Sequence, residues 1–370
     1  MSPDPESDAL HTRARARIDA FVRGAPAAES FDALAVDLAR FQASRIPGLA
    51  RLARARATDL ASITRASEVP AVPTDAFKHT RVSTFAPEEA RVVFRTSGTT
   101  TSARGSHAFR ELGTYDAGAL AFGRAMLFAG LAEPPDVVVL APSPHEAADS
   151  SLGHMMARFV VDLCSSTTAR THFVEGDRLL AAELRARLDD LSASATRPVL
   201  VLGTSFAFVH WRDADPGLEI ALPPGSRLMQ TGGTKGKSRE VSADALRAEL
   251  ARALGLPSCA IVSEYGMTEL SSQFYEGALR SPDLDEGVHV EPPWARVVPV
   301  DPETLSPVAD GVVGLARIED LANVDSAFAV QTQDRVVRVP GGFRLLGRAP
   351  GAQPRGCSIA IDEILSGTLA

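Results

Sequence analysis

The sequence predicts an α/β protein with a helical N-terminal extension and a β-rich C-terminal portion. Three observations predict it. Apolar residues recur at helical spacing over residues 1–66. Short apolar runs then alternate with amphipathic stretches up to about residue 285. Beyond that point short segments are split by Gly and Pro. The alternation is the pattern of a parallel or mixed sheet with flanking helices, and the segments after it read as hairpins.

Each element follows in order. DALHTRARARIDAFVRG and SFDALAVDLARFQASRIPGLARLARARATDL read as amphipathic helices, ended by Pro70 and Pro73. RVVFR (91–95) leads into the small-polar loop TSGTTTSARGS. DVVVLA (136–141) predicts a buried strand, SLGHMMARFVVDL (151–163) a buried helix and THFV (171–174) a strand. DRLLAAELRARLDDLSA (177–193) predicts a helix, RPVLVLG (197–203) a strand, and SRLMQTGG (226–233) a strand running into a glycine loop. SADALRAELARALG (242–255) predicts a helix with Ser242 as N-cap and Gly255 at its end, followed by the strand CAIVSEYG (259–266). ARVVPVD, GVVGLARIED, DRVVRVP and GGFRLLG read as hairpin strands. The expected organisation is a helical segment 1–90, an α/β core 91–285 and a β-rich portion 286–370.

Composition narrows the partners. The chain is 45% hydrophobic and 23% charged, with a net charge of −8. That diffuse acidity argues against nucleic acid and anionic membrane. No apolar run approaches the length of a membrane span, and the N-terminus has no secretory signal. Cys164, Cys259 and Cys357 are odd in number and far apart, which points to a reducing cytoplasm without disulfides or a zinc site. Cys164 and Cys259 read as buried and inert. Of 38 basic residues only Lys78, Lys235 and Lys237 are lysines, so each is a less automatic choice than the surrounding arginines.

Two segments carry chemistry. Thr96-Ser97-Gly98-Thr99-Thr100 is dense in hydroxyls around a glycine. It fits either a polar surface turn or a cradle whose N–H and hydroxyl groups wrap phosphate oxygens. It is not a Walker A loop. Glu264-Tyr265-Gly266-Met267-Thr268-Glu269 ends a strand, where open α/β sheets bind ligands. There Glu269 could hold Mg2+, Thr268 could reach a phosphate and Tyr265 could stack on a base; a plain strand-to-helix corner with a buried Tyr fits equally well.

Together, TSGTT followed by YGMTE resembles the signature pair of the adenylate-forming enzymes. Gly232-Gly233 looks like that superfamily's loop beside adenine. Pro142 to His145 looks like the segment meeting the carboxylate and acyl chain. Gln333-Asp334 followed by Gly347-Arg348 looks like the aspartate on the ribose hydroxyls and its Gly-Arg pair. Two departures stand out. Arg104 occupies the place of the loop's usual lysine, and the chain ends at Ala370, without the superfamily's mobile C-terminal domain and its catalytic lysine. That narrows the resemblance to the bacterial acyl-protein synthetases, the fatty-acid-activating subunits of the bioluminescence fatty acid reductase. Phe77-Lys78, Ser150-Ser151-Leu152, GGTKG at 232–236, YGMTEL and the tail GRAPGAQPRGCS carry it. Thr234 stands where that family usually has an aromatic residue.

The resemblance implies ATP- and Mg2+-dependent activation of a fatty or other carboxylic acid to acyl-AMP. Transfer to Cys357 as a thioester follows, and then passage to a reductase or carrier protein. Cys357 lies among Gly351, Pro354, Arg355 and Gly356, a setting that favours thiolate. Lys235 is a candidate replacement for the absent lysine, or a solvated loop charge. His145 and His154 line the acyl site or are structural. Two other readings stay open: a ligase passing its adenylate directly to a carrier protein or amine, and a nucleotide-binding regulatory pseudoenzyme.

Overall fold

The computed structural model describes residues 4–97, 103–232, 241–349, 360–361 and 363–365. Helices α1 (Pro5–Val22), α2 (Phe31–Arg45) and α3 (Pro47–Ala55) come first. Asp4 caps α1 through Ser7 N–H, and Ser30 caps α2 through Ala33 N–H. The sequence pattern runs unbroken across Ile46-Pro47, but the structure splits it there. Ile46 is extended, as a residue before proline prefers, and Pro47 starts α3 at a position where no N–H is needed. Strand β1 (Val72–Pro73), the one-turn helix α4 (Ala76–His79) and the hairpin β2 (Val92–Arg95)–β3 (Ser106–Phe109) follow.

After α5 (Gly113–Leu127) come β4 (Asp136–Leu140), α6 (Ser151–Asp162), β5 (Val174–Glu175), β6 (Arg178–Leu179), α7 (Ala181–Ser194), β7 (Val199–Thr204), α8 (Ser205–Ala214), β8 (Arg227–Thr231), α9 (Ala243–Leu254), β9 (Ile261–Tyr265) and β10 (Phe274–Glu276). Two expectations shift here. The start of the helix expected from 177 pairs as strand β6 with β5, and His172 makes only an isolated bridge to Val139. The α9 caps fall where expected: Ser242 accepts from Ala245 N–H, and Gly255 is left-handed at φ +62°. The chain then runs through β11 (Val288–Val290), β12 (Ala295–Val300), β13 (Val313–Asp320), β14 (Ala329–Val339) and β15 (Gly342–Arg348).

Residues cluster into two compact units. One takes residues 122–266 and 274–289. Here β4, β7, β8 and β9 lie parallel in that order, with Val138 opposite Val201, Val201 opposite Leu228 and Leu228 opposite Ile261. β10 pairs antiparallel with β9. β7 and β8 are buried almost throughout, as expected of parallel strands covered on both faces. Phe208, Trp211, Leu184, Leu188, Leu246 and Leu250 from the helices fill this core. Gly203 admits close packing: a Cβ there would lie 3.0 Å from Phe208 and 3.1 Å from Leu140.

The other unit takes residues 1–121, 267–273 and 290–370. β12 to β15 form an antiparallel meander, and β1 joins β14 in parallel, Val72 opposite Val330. A second core packs Ile46, Leu49 and Leu52 with Phe77, Ala327, Ala360 and Ile364. Arg51 Nε donates to the Ile364 carbonyl at 2.7 Å, which ties Ile364 to α3. Among the described residues no helix is long and apolar enough to cross a membrane.

Candidate active site

In the antiparallel unit the β2–β3 hairpin carries the hydroxyl-rich loop. Its base is pinched: Thr96 N–H donates to the Gly105 carbonyl, and Gly105 N–H donates to Thr96 Oγ1, both at 2.9 Å. A Cβ on Gly105 would meet Thr96 Cγ2 at 3.2 Å. Arg104, at the lysine's place, folds back on this base, with Nε 2.6 Å from the Thr96 carbonyl oxygen and Nη2 3.3 Å from that of Arg95. Thr96 is half-buried and Ser97 is exposed. Gly98, Thr99 and Thr100 lie outside the described residues.

Two residues past Gly105, His107 is buried with Nδ1 2.8 Å from the Thr268 carbonyl oxygen. A carbonyl only accepts, so Nδ1 carries the proton. Burial pushes the His107 pKa down to about 4, keeping the ring neutral. Thr268 is thereby tied to the loop hairpin. Glu269, its neighbour, is buried, and desolvation pushes its carboxyl up to about 7 against its own backbone N–H and the charges of Lys78 and Arg348. Asn323 Nδ2 donates to the Glu269 carbonyl at 2.8 Å. Asp320 accepts from Ser271 N–H at 2.8 Å and Ser272 Oγ at 2.6 Å. Sequence reading missed Asp320 and Asn323: both sit where LARIED-LAN reads as a strand end and turn, and only their distant partners reveal them.

Glu269 fits a magnesium ligand. Among the described residues no group of three His, Cys, Asp or Glu side chains is arranged to hold a metal. Mg2+ characteristically takes one or two carboxylates and completes its shell with phosphate oxygens and water. A carboxylate whose charge burial penalises gains most from such an ion.

Asp334 on β14 and Arg348 on β15 are directly opposed, with Arg348 Nε 3.5 Å from Asp334 Oδ1. The register shifts by one residue beyond this pair, and Gly347 takes φ +78°, the left-handed geometry of a bulge. The bulge sets Asp334 and Arg348 side by side. Gln333 Nε2 donates to Asp75 Oδ2 at 2.9 Å, and Lys78 Nζ to Asp75 Oδ1 at 2.6 Å.

The parallel-sheet unit holds the other candidates. Thr231 Oγ1 donates to the buried Glu264 carboxylate, whose pKa burial pushes up to about 7. Gly232 turns the chain out of β8 at φ +73°, and Ser205 Oγ donates to its carbonyl at 2.8 Å. Tyr265 is 6% exposed, with its ring tilted against Phe274 at 6.0 Å and edge-on to His289 at 6.5 Å. Gly266 is half-buried. His145 is exposed in the turn after β4, and His154 is half-buried on α6. An open groove of about 490 Å3 is lined by Ser143, Glu146, Arg170, Thr171, His172 and Glu175. Gly233, Lys235 and Cys357 lie outside the described residues.

Of the other cysteines, Cys164 is buried as expected, and desolvation pushes its thiol up to about 12. Cys259 is a correction: it is exposed, because it falls in a short turn of 3-10 helix before β9 and not on the strand itself.

The fold is that of the adenylate-forming enzymes. It is similar to 2-hydroxyisobutyryl-CoA ligase in complex with 2-HIB-AMP and CoA, at TM-score 0.61 and 16% identity, over 86% of this chain and 74% of that one. It is similar to ATP-bound MatB from Rhodopseudomonas palustris, at TM-score 0.51 and 16% identity, over 71% of this chain and 49% of that one. A search of curated proteins finds no match. The family model for the acyl-protein synthetase LuxE matches residues 56–366, and the chain belongs to that family.

Proposed function

We propose that the protein activates a carboxylic acid with ATP as acyl-AMP, carries the acyl group on Cys357 as a thioester, and delivers it to a partner protein such as a reductase or carrier. A carboxylate oxygen of the acid bonds to the α-phosphorus, the bond to the bridging β-phosphate oxygen breaks, and pyrophosphate leaves. The Cys357 thiolate then attacks the acyl carbon, and AMP leaves with the electron pair of the broken C–O bond.

The observation that carries this reading is Glu269, a buried carboxylate tied through Thr268 and His107 to the hairpin that bears the hydroxyl-rich loop. Thr96 to Thr100 would hold phosphate oxygens, Asp334 would accept the ribose hydroxyls, and Arg348 would lie beside them. Gly232, Gly233, Tyr265 and Gly266 would frame the base. Glu269 would hold Mg2+, which supplies charge neutralisation on the phosphates. Lys235 would offset negative charge developing at the α-phosphate. The protein's work is positioning and charge compensation. The fatty-acid assignment rests on the family alone, since the groove beside Ser143 is mostly polar and does not argue for a long apolar chain.

Acid-dependent exchange of labelled pyrophosphate into ATP tests the reading. Exchange that requires a carboxylic acid supports it, and ATP binding without exchange points to the regulatory alternative. Exchange without protein-bound acyl group points to a ligase that passes its adenylate on directly.

A further inference from the structure

We propose that Lys78 is a cation that meets the phosphates of the nucleotide beside Glu269. The inference rests on the reading of the site as an adenylation centre.

Its basis is the way α4 is built into the site. β1 pairs with β14, Pro73 opposite Gln331, and Thr74 N–H donates to the Gln331 carbonyl at 3.0 Å. The four-residue helix that follows buries Ala76 and Phe77. Phe77 packs edge-on to His107 with ring centres 5.9 Å apart, and its Cβ is 3.5 Å from where a Cβ on Gly105 would stand. The helix is therefore wedged behind the loop hairpin, and the next residue, Lys78, points outward with its side chain 40% exposed.

Lys78 belongs to a chain of polar contacts that ends at the candidate ribose site. Asp75 takes Lys78 Nζ on one oxygen and Gln333 Nε2 on the other. Gln333 precedes Asp334, which faces Arg348. The charges of Lys78 and Arg348 favour the ionised Glu269, and that of Asp75 opposes it. A partly exposed ion pair three residues apart contributes little to folding.

Among the described residues, two neighbouring cations already have partners. Arg104 spends its guanidinium on the carbonyls of Thr96 and Arg95, and Arg348 faces Asp334. An ammonium has three donors, so Lys78 can keep Asp75 and still offer N–H groups to a phosphate oxygen. Lysine serves phosphates as a compact point charge on a flexible stem. Lys78 is one of three lysines in a chain whose other 35 basic residues are arginine.

The test uses the full-length chain with Lys78→Ala, Lys78→Gln and Lys78→Arg. Melting temperature, pyrophosphate exchange against ATP concentration, and equilibrium binding of ATP with Mg2+ are measured for each. Lys78→Ala and Lys78→Gln should melt as wild type and lose about 100-fold or more in kcat/KM for ATP, the scale of one lost charge contact to a reacting phosphate. Lys78→Arg should recover at least tenfold of that loss. Wild-type kcat/KM in the Ala and Gln variants of an enzyme that exchanges overturns the proposal. If the wild type itself shows no exchange, the adenylation reading fails, and binding decides Lys78: weaker ATP binding in Lys78→Ala supports a phosphate contact, and unchanged binding removes it.

Discussion

His107 Nδ1 lies 2.8 Å from the carbonyl oxygen of Thr268, although 161 residues separate them. This bond joins the strand leaving the hydroxyl-rich loop to the segment that carries Glu269. A cavity of about 10 Å3 beside it, lined by His11, Thr114, Ser271, Asn323 and Asp325, has room for a single water.

Replacing His107 by Ala should leave the partly buried Thr268 carbonyl without this partner, at a cost of about 1–3 kcal/mol. The misplaced Glu269 segment should also slow exchange, by up to about 100-fold. His107→Asn, which retains a donor, should recover part of both. Thermal melting and exchange rate check this, and a variant with lowered stability but unchanged exchange would confine His107 to structure.

Glu269→Gln should remove most Mg2+-dependent exchange, on the order of 100- to 1000-fold. The fold should survive, because a neutral amide relieves the desolvation that raises this carboxyl to about 7. Full exchange in that variant would contradict the metal role.

Cys357→Ser should separate the two half-reactions. The candidate nucleotide groups lie elsewhere, so acyl-AMP should still form. A serine hydroxyl is a far weaker nucleophile than a thiolate at neutral pH, so the acyl label on the protein and its transfer onward should be lost. Mass spectrometry of the C-terminal peptide after incubation with acid and ATP reads the outcome. An unlabelled wild-type Cys357 would favour the direct ligase.

Glu264 makes a pH-dependent prediction. Its carboxyl titrates near 7 when folded, above the ordinary 4.5, because burial penalises the charged form. A raised carboxyl favours the folded state fully below about pH 4.5, and that contribution is lost as pH rises through about 7. Glu264→Gln keeps an acceptor for Thr231 Oγ1 and cannot ionise. It should therefore be more stable than wild type at pH 8, by on the order of 2 kcal/mol, and gain nothing at pH 4.5. Chemical denaturation at the two pH values checks the sign.

What the sequence determined by itself was local. The apolar runs of β4, β7, β8 and β9 and the Ser242 and Gly255 caps of α9 depend on neighbours within a few residues, so they are legible in one dimension. The split at Ile46-Pro47 was not read from the periodic pattern, which runs on across it, and the structure supplied it. The TSGTT and YGMTE segments were legible by their residue types and order, and they led to the right family. The tertiary structure alone decided the environments. Whether Glu264 and Glu269 are buried enough to hold a proton near neutrality depends on desolvation by packing from all sides. That Asp320 and Asn323 pin the Glu269 segment follows from where distant chain segments meet. Lys78 was conspicuous in the sequence only as a rare lysine. Its link through Asp75 to Gln333 spans more than 250 residues, and no periodicity or local propensity encodes such a contact.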